Sequence, residues 1–318
     1  MDLGEYGEIT SVVVSRGGSI VTEVYLDGDA SVLRNTRSCT KTVLGMLVGI
    51  AIDRGVLPGV DVSVETLLPD RTASLYPDRR KRNITVKQLL TMTSCLECDD
   101  WNPYSAGNEE RMYPREDWVQ FALDLPIRGS SGFSYCTAGV VLLGVALERA
   151  LGEQLSEFAR RELFDPIGVG PFDWPRTPLG ETSTAGGLLL TPQGLLALGR
   201  LYLCGSHGLV PETWVFSSTE PHAQIAPETS YGYLWWLREF AGHRSYYMSG
   251  TGGNRVHVVP DLDLVAVITS RNFHRRDAHE LSDRLLVEQV LAEADSQEYT
   301  YRSPEGPRRP YQSTKLDR

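Results

Sequence analysis

Lysine is scarce in this chain: four occur among 318 residues, although lysine and arginine together number 31. The sequence also lacks any basic run interleaved with aromatic residues, and its net charge is −10. Those absences exclude the electrostatic footprint of a nucleic-acid partner or an anionic membrane surface. No apolar run is long enough to span a bilayer: Val43 to Ile52, the longest, is about half of the roughly 20 residues required. The opening MDLGEYGEITSVVV has no basic segment followed by an apolar stretch, so no secretory leader is expected. Five cysteines without a regular framework point to unpaired thiols in a reducing compartment, hence a cytoplasmic protein. None of the six histidines has a spacing that invites catalysis or metal ligation, and His257 reads as a structural strand residue. Neither metal nor cofactor is expected.

What is present is an apolar fraction of 41% and a charged fraction of 23%, ordinary values for a chain that can bury a full core. Alternation in ITSVVVSRGGSIVTEVYLDG predicts two strands joined at Arg16-Gly17-Gly18. A helix follows from Ser38 to Asp53, apolar on every side and therefore buried all round, with Gly55 past its end. ITVKQLLTMTS, EDWVQFALDL, TAGVVLLGVALERALG and TPQGLLALGRLYLCG have helical spacing. From Tyr231 the period returns to that of strands in YGYLWWLREF, RSYYMSG, NRVHVVP and DLVAVITSRN, before a last helix, DAHELSDRLLVEQVLAEA. Strands at both ends can share one sheet only if the chain leaves it, builds a helical region and returns. The expectation is an α/β (α+β) protein: a discontinuous sheet domain, 1–56 and 186–295, a helical domain, 57–185, and a loose tail, 296–318. A ligand cleft would lie between the two domains.

Ser38 and Lys41 are three residues apart, so at a helix start they share a face. The helix N-terminus adds unpaired N–H groups and partial positive charge, suited to a developing oxyanion. A partly desolvated lysine there can take a proton from serine. Spacing alone does not decide the matter, since roughly 0.3 chance occurrences of S-x-x-K are expected from 25 serines and four lysines. Position does more, because this pair opens the most apolar helix of the chain. Tyr135, in SGFSYCTAGVVLLG, precedes a second buried helix and is either a packing residue or a proton shuttle for Ser38. In YYMSGTGGNRVHVV, small residues at a strand edge form either a plain hairpin turn or a place where substrate meets backbone.

In this order, these three pieces resemble the serine β-lactamase and penicillin-binding-protein superfamily, for which S-x-x-K is a known signature. The likeness is to its class C β-lactamase-like group of esterases, D-amino-acid peptidases, 6-aminohexanoate-oligomer hydrolases and transacylases. It covers about residues 8 to 292 and includes RSCTK, GIAIDRGVL, VKQLLTMTS, YCTAGVVLLG, LFDPIGV, AGGLLLTPQGLLALGRLYL, YGYLWW and SGTGGNRVHVVPDLDLVAV. The resemblance implies a β-lactamase/transpeptidase-like fold and an acyl-enzyme on Ser38, with Lys41 as base and Tyr135 as proton relay. It also implies an oxyanion hole from the backbone N–H groups of Ser38 and Thr251, and a substrate-binding strand at Met248-Ser249-Gly250. Two positions depart from the family's pattern. Thr137 stands where Y-x-N has asparagine, and Met248 stands where β-lactamases carry lysine or histidine. Both departures weigh against a β-lactam substrate.

The polar, aromatic segment SCLECDDWNPYSAGNEERMYPREDW reads as a lip over a cleft or as a solvated loop. In the first case Trp101 and Tyr104 would form a substrate wall, and Asp99 and Asp100 would favour an amine-bearing substrate. Trp235 and Trp236, if on one strand, would face opposite sides. Cys95-x-x-Cys98 has a zinc-like spacing, but Cys39 and Cys136 are expected to point into the packing as small apolar residues. The function expected is therefore a serine esterase or amidase acting on a small ester or amide. A transacylase passing the same acyl group to an amine or alcohol is the alternative, and a non-catalytic binding relative is the reading from another class.

Overall fold

In the computed structural model, which describes residues 3–129, 132–203 and 208–298, the N-terminal hairpin forms as β1 (Ile9–Arg16) and β2 (Ser19–Tyr25). A short pair, β3 (Arg34–Asn35) and β4 (Leu189–Leu190), ties the segment before Ser38 to the segment returning from the helices. The later strands are β5 (Ala223–Ala226), β6 (Thr229–Tyr231), β7 (Trp236–Phe240), β8 (His243–Gly250), β9 (Asn254–Val259) and β10 (Leu264–Ser270). Eight of these strands build one antiparallel sheet in the order β2-β1-β10-β9-β8-β7-β6-β5. The first and last strands are thus neighbours, with Val12 opposite Ile268. Pleating divides β1 between two cores: Val13 faces one, while Val12 and Val14 face the other.

The helices that matter for the site are α1 (Cys39–Asp53), α2 (Thr137–Leu151), α3 (Pro192–Leu203) and α4 (Ala278–Leu285). Every residue of α1 from Cys39 to Ala51 is buried, because the helix lies between strands β8 and β9 and helix α2. Its glycines are needed for that fit. A Cβ at Gly49 would stand 2.4 Å from a ring carbon of Trp214, whose indole donates to the Gly45 carbonyl at 3.1 Å. Gly49→Ala should therefore cost about 1–2 kcal/mol despite the better helix propensity of alanine. Urea unfolding measures this, and an unmoved midpoint would mean that Trp214 yields freely.

The structure corrects three expectations. YGYLWWLREF is not one strand: β6 and β7 are joined by a tight turn in which the Gly232 N–H donates to the Trp235 carbonyl and Leu234 has φ +61°. Alternation cannot distinguish a continuous strand from a hairpin whose turn is itself aromatic. Trp235 nevertheless ends fully buried, whereas Trp236 faces a cavity. The last helix continues past Asp295, through a widened turn at Leu286–Leu291 and then Ala292–Glu298, so residues 296–298 are helical rather than tail. The rest of the expected tail lies outside the described residues. Finally, Cys98 and Cys136 are joined in a disulfide, against the expectation of unpaired thiols. The two cysteines lie far apart in sequence, and only the return of the 98–109 loop to the start of α2 brings them together. Cys39 and Cys95 are free. Among the described residues no helix is long and apolar enough to cross a membrane.

Candidate active site

Ser38 occupies the position before α1, half-buried, and Lys41 follows one turn later with 1% of its surface exposed. The turn into the helix is sharp because Arg37 has φ +53°, a left-handed conformation uncommon for a side-chain-bearing residue. The Asn35 side chain accepts the Arg37 N–H at 2.9 Å, and the Arg37 guanidinium lies over the Phe273 ring at 4.4 Å. Lys41 Nζ donates to Ser38 Oγ at 3.0 Å and also to the Ala185 carbonyl. Burial pulls the Lys41 pKa below its ordinary value, against the opposing pull of Glu109 and Asp100. An amine that is readily neutral and in contact with a hydroxyl can accept its proton.

Tyr135 is 9% exposed beside Ser38. Burial pushes its phenol well above the ordinary value, while its contact with Ser38 pulls the other way. It therefore stays a phenol, able to donate a proton rather than to begin as a base. The Lys41 ammonium position lies 5.4 Å from the Tyr135 ring centroid. Trp101 stacks on that ring, 5.8 Å between centroids and 4° from parallel. The Asp100 N–H donates to the Tyr135 carbonyl at 2.9 Å, and the Cys98–Cys136 bond fixes the same two segments from the other side.

The third component comes from the end of β8. A Cβ on Gly250 would lie 2.3 Å from the Thr36 carbonyl, so only glycine lets this strand end approach the segment leading into Ser38. The following turn is held by Asn254, whose side-chain amide donates to the Thr251 carbonyl at 2.9 Å while its oxygen accepts the Ser270 N–H at 3.2 Å. Among the described residues, no backbone–backbone hydrogen bond outside the strands and helices takes up the N–H of Ser38 or of Thr251. Two such donors at one site are what an oxyanion requires.

A cavity of about 510 Å³ brings together Ser38, Tyr135, Trp101, Ser249 and Thr251. Several other residues singled out in the sequence lie elsewhere. Lys41 sits beneath Ser38. Thr137 is fully buried and donates from Oγ1 to a Glu109 carboxylate oxygen at 3.1 Å. Met248 is fully buried in the core, since strand alternation turns its neighbours Tyr247 and Ser249 to the cavity instead. Gly250 contributes closeness rather than contact. Tyr104 is 87% exposed and does not line the cavity. The cavity also takes in Asp100, Glu109, Tyr247, Arg255 and His279. Of these, sequence reasoning weighed only Asp100. Tyr247 was within reach of period-two reasoning from Ser249, whereas nothing local marks Glu109 or Arg255. Burial, followed by the neighbouring Glu109 carboxylate, raises the Asp100 carboxyl to about 6.

An antiparallel sheet flanked by helices, with S-x-x-K opening the helix between them, is the architecture of the serine β-lactamase and transpeptidase class. The β-lactamase family profile matches residues 10–290, and the chain belongs to the β-lactamase family. It is an enzyme of that family's serine hydrolase type. Penicillin-binding protein 4 of Amycolatopsis lactamdurans is 24% identical, over 83% of this chain and 77% of its own length. Among solved structures, a presumed 6-aminohexanoate-dimer hydrolase from Bacillus anthracis superposes with a TM-score of 0.77 at 16% identity, covering 93% of this chain and 81% of that one. EstCE1, described as a hydrolase with promiscuous acyltransferase activity, gives a TM-score of 0.69 at 16% identity, covering 87% and 92%.

Proposed function

We propose that the protein cleaves a small ester or amide through an acyl-enzyme on Ser38. Ser38 Oγ attacks the carbonyl carbon as its proton passes to the neutral Lys41 amine. The N–H groups of Ser38 and Thr251 stabilise the resulting oxyanion. Collapse expels the alcohol or amine, which takes a proton from the Tyr135 phenol, itself reprotonated from Lys41. Water then attacks the ester on Ser38 by the same route in reverse. The observation that carries this reading is the buried Lys41 amine 3.0 Å from Ser38 Oγ.

A second reading keeps the acyl-enzyme and gives the acyl group to an amine or alcohol. Its support is the aromatic wall of Trp101, Tyr135 and Trp236, with ring centroids 5.8–6.3 Å apart, which offers an apolar acceptor a surface to pack on. The acyltransferase activity stated for EstCE1 points the same way. The test is a stopped-flow burst with p-nitrophenyl acetate, with intact-mass detection of acetylated protein, followed by addition of simple amines and alcohols. A stoichiometric burst and a transient mass gain at Ser38 are expected. Partition into amide or ester would select acyl transfer. A folded protein that never acylates would sink both readings and leave a non-catalytic binding role.

A further inference from the structure

The turn that carries Thr251 depends on a buried amide that has no part in the acyl chemistry. Residues 251–253 connect β8 to β9, and the Gly250–Asn254 pair closes them. Gly252 and Gly253 both adopt the left-handed backbone, at φ +85° and +90°. A Cβ on Gly252 would lie 2.5 Å from the Phe273 ring, and one on Gly253 would lie 2.7 Å from the Ala278 carbonyl oxygen. Gly253 is also tied to α4, where the Ser282 hydroxyl donates to its carbonyl at 2.7 Å. The far end of the turn is thus fixed by the exit from β10 and by α4. None of these contacts is made by Thr251.

Asn254 supplies the contact that Thr251 itself makes. It is 2% exposed at the start of β9, and its side chain reaches back over the turn. Its Nδ2 donates to the Thr251 carbonyl at 2.9 Å, and its Oδ1 accepts the N–H of Ser270, the last residue of β10, at 3.2 Å. The Ser270 hydroxyl donates onward to the Glu8 carbonyl at 3.1 Å, so the anchor extends to the segment leading into β1. A primary amide offers a donor and an acceptor side by side, and here each meets a backbone group of the opposite kind. Breaking such a buried pair is costly, because each backbone group would be left unpaired. With its carbonyl held on the buried side, Thr251 lines the cavity. Among the described residues no backbone–backbone bond outside the strands and helices takes its N–H. Asn254 is not among the residues that line the cavity, so it acts through Thr251.

We propose that Asn254 is a positioning residue for the oxyanion hole. Strung between Thr251 and Ser270, its amide aims the Thr251 N–H at the oxygen that becomes negative when Ser38 attacks. Deleting an oxyanion-hole donor outright costs about 10²–10³ in rate, and a donor rotated off its line forfeits part of that. The inference rests on the acyl-enzyme reading, and the experiment separates the two.

Asn254→Asp keeps the shape of the side chain and the acceptor for Ser270, and puts an oxygen where the donor to Thr251 stood. Acylation is followed by the burst with p-nitrophenyl acetate and with its thionoester, in which sulfur replaces the carbonyl oxygen. A hole built for oxygen aids the thionoester much less. In the variant the acylation rate constant for the oxygen ester should fall about 10–100-fold, with the half-saturating concentration unchanged within about twofold. The thionoester rate should fall no more than about threefold, so the ratio of the two rates collapses. A general loss of fold, or a shift of Ser38 away from Lys41, would lower both rates alike. Isotope-edited infrared spectra of the acetyl-enzyme give a second readout. The native ester carbonyl should absorb at lower frequency than in the unfolded acetyl-enzyme, and the variant should return toward the unfolded value. If Asn254→Asp does not fold, Asn254→Ala, which opens space for water beside the Thr251 carbonyl, enters the same comparisons. Equal losses on both esters, an oxygen-ester rate unchanged within about twofold, or an unshifted carbonyl band would each overturn the inference. Absence of any burst from the native protein would instead defeat the acyl-enzyme reading.

Discussion

Ser38→Ala is expected to abolish the burst with p-nitrophenyl acetate and to lower kcat by on the order of 10⁵–10⁶. That loss corresponds to about 7–8 kcal/mol of transition-state stabilisation. The reason is that no other group replaces the Ser38 hydroxyl in the proposed chemistry. Lys41 is buried behind it, and Tyr135 is held as a phenol by its burial. The fold should hardly notice. Removing Oγ takes one hydrogen bond from Lys41, which keeps its bond to the Ala185 carbonyl, so the unfolding free energy should change by about 1 kcal/mol or less. Burst kinetics, intact mass and a denaturant curve on the same preparation check all three statements. A stable Ser38→Ala variant that still acylates would place the nucleophile elsewhere and undo the assignment.

The difference between what the sequence revealed and what it hid follows from range. Ser38 and Lys41 were legible because one helical turn fixes their relation, and the apolar surround of α1 announced the burial that lowers the lysine pKa. That strands from both ends of the chain share one sheet was legible because alternating segments at its two ends needed edges to bond to; that β1 pairs with β10 came only with the structure. By contrast, Arg255 reads locally as any strand arginine. It becomes a cavity residue only through its register with Ser249 and the support of Asp283, 28 residues away. Glu109 is equally distant from Thr137, and Cys98 from Cys136 by 38 residues, so each pair is made by the fold of the loop and not by local spacing. Tyr104 illustrates the opposite limit. An aromatic in a cleft-side loop is no guarantee of a cleft-facing ring, since one turn of backbone sends Trp101 onto Tyr135 and leaves Tyr104 in solvent.

Lys41→Met keeps the length and burial of the side chain and removes the amine, so it isolates the base. In the native protein, burial depresses the Lys41 pKa. Acylation should therefore rise with pH as the ammonium is lost, along a limb lying below the ordinary lysine range. In Lys41→Met, acylation should fall about 10²–10⁴-fold, the usual worth of a positioned general base, and that limb should disappear. Stability gives an independent check with a definite sign. Between the depressed folded pKa and the ordinary unfolded one, the unfolded chain binds the Lys41 proton and the folded chain does not, so this residue makes the native protein gain stability as pH rises through that window. The methionine variant lacks that contribution, and its stability should rise less steeply with pH over the same range. Single-turnover acylation and urea unfolding, each followed across pH, measure the two effects. Retention of the kinetic limb with methionine at 41 would transfer the base's role to another group, with Tyr135 first in line. Loss of the limb without the change in stability slope would mean that Lys41 is charged in the resting enzyme, and that its proton must leave when substrate arrives.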